Sequence, residues 1–308
     1  MFYISVAIAA YFLIALQTIL DKFMLTTNRV SEPATYTFYV GLMSLFTFAL
    51  FPFGFHLIGW VPLVLSILSG VIFIYGIFCL FTAIEKNEAS RVTPLVTAII
   101  PITTIITSTL FLGEIFSMQE IFGVILLIFG GVFISLQFFS GSFKPKKMFS
   151  GFYLTVLAGV LIAVAFSLFK YLYNQDNFFN VFIWTRLGLT VGALSLLLFP
   201  VWRKAILGSF QGISHAKKEN RRTGILFVAN KVLGGVGSAL THFAVSLGSV
   251  AVVNALASME AVFVFILGIT LSVKFPAIFQ EKRNLRNVLH KTLAICIIVA
   301  GIALISIK

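Results

Sequence analysis

The sequence predicts an all-α integral membrane protein with ten transmembrane helices, arranged as two inverted five-helix repeats. Three observations carry this expectation. Of the 308 residues, 59% are hydrophobic and only 10% charged, with a mean hydropathy of +1.06, outside the range of a water-soluble core. The few charges gather between long apolar runs instead of alternating along helices, the pattern of spans and connecting loops. The chain also echoes itself: Phe2-Tyr3 recurs as Phe152-Tyr153, Leu50-Phe51-Pro52 as Leu198-Phe199-Pro200, and Gly130 to Leu136 resembles Gly301 to Ile307.

A helix needs about 20 apolar residues to cross the hydrocarbon core. Punctuation by Gly, Pro and charge divides the chain at that scale. The first span, 2–20, lacks a basic leader and a small-residue cleavage pattern and runs straight into Asp21-Lys22, so it reads as a span and not as a signal peptide. Spans follow at 34–52, 62–84, 92–112 and 119–139. The hydrophilic stretch 141–150, with Lys144, Pro145, Lys146 and Lys147, is the expected linker between a first repeat (1–140) and a second (151–308). The second repeat holds spans at 152–173, 179–201, 223–246, 250–272 and 291–307. Its eighth and ninth spans join through a tight turn at Leu247-Gly248-Ser249, and the basic stretches Arg203 to Arg222 and Lys274 to Lys291 read as loops. An odd number of spans per repeat makes the second copy enter the membrane from the opposite side.

Loops after odd-numbered spans hold 18 of the 22 Lys and Arg residues. The positive-inside rule therefore places those loops in the cytoplasm and both termini outside it, with a bacterial inner (plasma) membrane as the expected location. The net charge of +12 is accounted for by these loops and does not form the folded basic stripe that a nucleic-acid surface needs. Cys79 and Cys296 lie in apolar runs without metal-ligand spacing, so neither a disulfide nor a metal is expected, and no cofactor.

The stretch Glu88-Ala89-Ser90-Arg91 through Pro94, Pro101 and Phe111-Leu112-Gly113-Glu114 to Gln119, Gly123 and Gly130-Gly131 resembles the EamA repeat of the drug/metabolite transporter superfamily. In the second half, Leu247-Gly248-Ser249, Asn254-Ala255-Leu256, Met259-Glu260-Ala261-Val262 and Ala300-Gly301 are similar to the same pattern, and Lys22 and Lys170 each close the first span of their half. The resemblance implies ten helices, export or exchange of small metabolites and a central cavity between the halves. The chain departs from the family pattern at Val273-Lys274, where the first repeat has Gly113-Glu114, and carries extra residues before the last span. Family members are usually drawn with cytoplasmic termini, the reverse of the charge count here.

Ionisable side chains inside spans are costly and mark functional candidates. Arg186, Lys231, His242 and Glu260 are such groups. Counted from the basic ends of their spans, Lys231 and Glu260 differ in height by only ~6 Å, so the sequence suggests that they meet. They form either a pair that substrate or a proton opens, or a static ion pair locking two helices. Arg186 either binds a carboxylate or snorkels to the headgroups. An excess of interior positive charge from Arg186 and Lys231 points to an anionic or zwitterionic substrate. Lys170, near a span end, is expected to snorkel, and His242 to make a helix contact or relay a proton. Gln17, Asn230, Asn254 and Ser258 are candidate cavity-lining groups, with interhelical hydrogen bonding as the alternative. Gly234, Gly235 and Gly237 permit close helix approach, and Pro94 and Pro101 mark either a hinge or a fixed bend in the fourth span.

A secondary transporter is the favoured reading, with membrane lipid and a small-molecule substrate as partners, no nucleic acid, and no oligomer required. The alternatives are a membrane-embedded enzyme acting on a lipid-linked substrate and a membrane scaffold or sensor. HExxH, GxSxG and Walker-type loops are absent from the sequence, which disfavours the enzyme. The longest loop is about twenty residues, which disfavours a signalling scaffold.

Overall fold

The apolar runs form helices because a chain in lipid must satisfy its backbone hydrogen bonds internally. The computed structural model describes residues 2–25, 32–86, 89–135, 151–214, 221–274 and 285–306, and no strand occurs among them. The linker 141–150 lies outside the described residues. Eight helices are long and apolar enough to cross a membrane: Phe2–Leu20, Pro33–Phe53, Trp60–Lys86, Val92–Leu112, Phe152–Tyr173, Phe178–Leu198, Val250–Leu271 and Leu289–Ser306. The chain is thus a multi-pass integral membrane protein. Helices also occupy the two remaining predicted spans. Met118–Ile134 is apolar but short, and Arg221–Leu247 is long but diluted by polar residues and glycines.

The chain divides into two compact units, each drawing helices from both halves of the sequence. The first comprises Met1–Arg29, Ile115–Phe143 and Lys218–Lys308. It contains α1 (Phe2–Leu25), α5 (Met118–Ser135), α9 (Arg221–Leu247), α10 (Val250–Ala255), α11 (Ser258–Lys274) and α12 (Leu285–Ser306). Within it, α1 packs along α9, α5 packs along α12, and α11 rests on α1 and α5. Small residues set these approaches. A Cβ on Gly301 would lie 2.8 Å from the Gly123 carbonyl oxygen, and one on Gly237 2.8 Å from Ile14. Gly234 is filled by the Gln17 amide, whereas Gly235, expected to pack, faces open space. The start of α5 is fixed by a reciprocal capping box, in which the Ser117 N–H donates to Glu120 Oε2 (2.9 Å) and the Glu120 N–H to Ser117 Oγ (3.2 Å).

The second unit comprises Val30–Glu114 and Lys144–Lys217. It contains α2 (Pro33–Met43) with a 3-10 extension to Phe53, α3 (Trp60–Lys86), α4 (Ala89–Thr107) with a π-turn over Ser108–Leu112, α6 (Phe152–Tyr173), α7 (Phe178–Ser195) and α8 (Pro200–Ser214). Here α3 packs along α6 and α7, and α4 along α6. Cys79, Ala83, Val92, Val96 and Ala158 form the buried cluster among α3, α4 and α6. Pro94 and Pro101 both lie inside α4 and are buried. At one end of the unit, Asp176, in the turn before α7, pairs with His56 (3.1 Å) and accepts from Asn180 Nδ2 (2.6 Å). The loop after the second span therefore meets the turn after the sixth.

The structure corrects the sequence reading in three places. Arg203 to Arg222 is not a loop: α8 occupies Pro200–Ser214, an amphipathic helix whose Lys and Arg lower its hydropathy below that of a span. The ninth span is not continuous but breaks between Ala255 and Ser258. The last helix begins at Leu285, inside the stretch read as a loop.

Candidate functional site

In the first unit the break in the ninth span creates the distinctive polar centre. In a regular helix the Ala257 N–H would bond the Val253 carbonyl. Instead Ala257, Met259 and Glu260 each donate three residues back, to Asn254, Leu256 and Ala257. The Val253 carbonyl is released, and the Tyr11 hydroxyl of α1 takes it at 3.0 Å. Removing that donor in Tyr11→Phe leaves the packing nearly unchanged and orphans a buried carbonyl. The expected result is a loss of about 1–3 kcal/mol of stability, read as a lower melting temperature of the detergent-solubilised protein; an unchanged melt would mean that the break holds without α1.

Beyond the break, α11 starts at Ser258 and carries Glu260 in its first turn, where the positive end of the helix dipole favours a carboxylate. Glu260 Oε1 accepts from Thr18 Oγ1 at 2.9 Å. Tyr11 and Thr18 stand seven residues apart, two turns along one face of α1, and thereby address both sides of the break. Thr18 is exposed and Glu260 partly buried. Asn254 and Ser258 are buried on either side of the break. The Ser258 hydroxyl has no hydrogen-bond partner among the described residues, and its Cβ fills the space against Gly131 on α5.

The sequence reading joins Glu260 to Lys231; the structure gives the carboxylate a different partner, the Thr18 hydroxyl. Lys231 is partly exposed on α9, beside Asn230, which is fully buried; His242, two per cent exposed, lies three turns further along. Neither Tyr11 nor Thr18 was singled out in the sequence. The available signal is weak: a hydroxyl pair at a spacing of seven in a span that also carries Tyr3, Ser5 and Gln17.

The second unit holds a separate group of buried charges. Arg186 on α7 is 8% exposed, with its guanidinium 4.5 Å from the Phe182 ring centre and in the field of the Tyr173 hydroxyl group. Its burial inside the unit does not fit a side chain snorkelling to the headgroups. Lys170, also expected to snorkel, is likewise only 8% exposed and lies in the field of Glu114, just past the π-turn. One step along α6, Ser167 Oγ is 2.6 Å from Thr107 Oγ1 of α4. The position of Lys170 near a span end suggests an exit to water, but the side chain is buried.

Residues 1–136 match the model of the EamA-like transporter family. No curated protein matches the sequence. A solved structure, described only as the crystal structure of a protein, shares the fold with a TM-score of 0.63 at 18% identity, covering 99% of this chain and 95% of that one.

Proposed function

Since residues 1–136 match the model of the EamA-like transporter family, we propose that the chain is a secondary transporter, an exporter or exchanger, that moves a small anionic or zwitterionic metabolite by alternating access. Glu260 couples this movement to a proton. The observation that carries the reading is the discontinuous ninth span, which puts a protonatable carboxyl in the first turn of a half-helix within the apolar part of the chain. Discontinuous helices of this kind hold substrates and coupling ions in other transporter folds. Intramembrane ionisable residues are retained where ions or substrates pass.

The same proposal includes ten spans in two inverted repeats, 1–140 and 151–308. Two packing relations support it. In the first unit the first helix of one half, α1, lies on the third of the other, α9; in the second unit α6 lies on α3 in the same way. The junction of His56 with Asp176 brings together loops that follow even-numbered spans, as ten alternating crossings require. The charge bias supports non-cytoplasmic termini. The pathway is complete in one chain, and nucleic acid plays no part.

Arg186, in the second unit, supplies positive charge for an anionic group. Arg186→Gln is expected to raise KM for the transported anion by about tenfold or more, the loss of one charge-assisted contact, with a smaller effect on the maximal rate. The test of the whole reading is efflux of a metabolite mixture from proteoliposomes, followed by mass spectrometry with and without a pH gradient. Selective, gradient-dependent loss of anionic or zwitterionic species is the expected result. Folded protein that releases nothing selectively overturns it and returns the enzyme and scaffold readings to the front.

A further inference from the structure

The amphipathic helix α8 has a partner of its own. The seventh span ends at Leu198, the chain turns through extended backbone at Phe199, and Pro200 opens α8. One face of α8 is tied to its unit. Trp202 packs against Phe78 of α3 (4.6 Å) and Phe199 (4.4 Å), Ile206 is fully buried, and Ser209 hydrogen-bonds the Tyr39 hydroxyl at 3.0 Å. The opposite face mixes two chemistries. Arg203 and Lys204 are exposed, and so are Val201 (78%), Leu207 (53%) and, at the end of the preceding span, Leu198 (80%).

A helix face washed by water has no reason to present Val201, Leu207 and Leu198; one buried in acyl chains does not carry Arg203 and Lys204. Interleaved basic and apolar residues beside a span end suit the boundary between headgroups and acyl chains. We propose that α8 is an interfacial helix and that Arg203 and Lys204 bind the headgroups of anionic phospholipids in the leaflet it faces. The occupant is a lipid and not an acidic protein because the apolar side chains are continuous with the membrane-spanning surface ending at Leu198. Charge complementarity selects the anionic class, and each basic side chain near the surface favours it by about fivefold. The proposal rests on the membrane location of the chain and not on transport, so it survives if the substrate reading fails.

The test uses the full-length protein in vesicles containing brominated phosphatidylglycerol or brominated phosphatidylcholine at equal mole fraction. The Trp202 signal is isolated as the difference between the wild type and Trp202→Phe, which keeps an aromatic ring against Phe78 and Phe199. The expected result is stronger quenching of Trp202 by the brominated phosphatidylglycerol, with the preference lost in the double variant Arg203→Gln, Lys204→Gln. Equal quenching by the two lipids, quenching by neither, or a preference unchanged in the double variant would each overturn the proposal.

Discussion

Replacing Glu260 by glutamine is expected to abolish gradient-driven transport while leaving the protein folded. Glutamine has nearly the same shape, and its amide oxygen can still accept from Thr18, the bond that Glu260 Oε1 makes at 2.9 Å. What it loses is the exchangeable proton. A secondary transporter that couples through this carboxyl should then show the same slow efflux with and without a pH gradient, lower than the driven wild-type rate by at least about tenfold, equivalent to about 1.4 kcal/mol. Thr18→Val separates the two functions of the site. It removes the hydroxyl that orients the carboxyl but keeps the acid, so transport should slow while remaining gradient-dependent. Titratable neighbours in the same unit set the alternative: Tyr11 lies in the field of Glu260, and Lys231 and His242 are among those on α9. Full gradient dependence in folded Glu260→Gln would remove Glu260 from the coupling step and turn attention to those three.

The difference between what the sequence disclosed and what it concealed has a physical basis. Span positions were legible because hydropathy records contact with lipid, and each predicted span contains a helix in the structure. The amphipathic α8 was concealed for the same reason: Arg203 and Lys204 lower its average while Trp202 and Ile206 still anchor one face. The break at Ala255 to Ser258 contains neither Gly nor Pro, and the donor that takes its freed carbonyl, Tyr11, is 242 residues away. No local pattern reports such a tertiary cause. Glu260 and Arg186 stood out because any charge in an apolar run is costly. The partner of Glu260 was missed because equal height on neighbouring spans fixes only one coordinate. The azimuth of each helix decides which side chains meet, and here it offers the carboxylate to α1. Thr18 itself left no mark in the sequence, since hydroxyl residues within spans commonly bond their own backbone, as Thr185 and Thr241 do.

A valine at Gly70 should prevent the second unit from assembling. At the crossing of α3 and α7 the two backbones touch: a Cβ on Gly70 would run into the Thr185 carbonyl oxygen and lie 2.5 Å from the Gly188 carbonyl carbon, while one on Gly188 would lie 2.6 Å from the Ile67 carbonyl oxygen. These obstacles are main-chain atoms, so no side-chain rotation relieves them and the helices must separate. Overpacking usually costs about 1–3 kcal/mol, and a displacement along this crossing places Gly70→Val at or beyond the upper end. The measurement is the yield of monodisperse protein in detergent and its melting temperature. Gly235→Ala is the matched control, because a Cβ there meets nothing within 4 Å; it should be neutral or stabilising by up to about 1 kcal/mol through helix propensity. The pair Gly70→Ala and Gly188→Ala tests the mechanism further. If one Cβ already forces α3 and α7 apart, the second has less left to disrupt, so the double variant should lose markedly less than the sum of the singles. Strict additivity would show that each glycine is needed for a separate reason and not for one shared close approach.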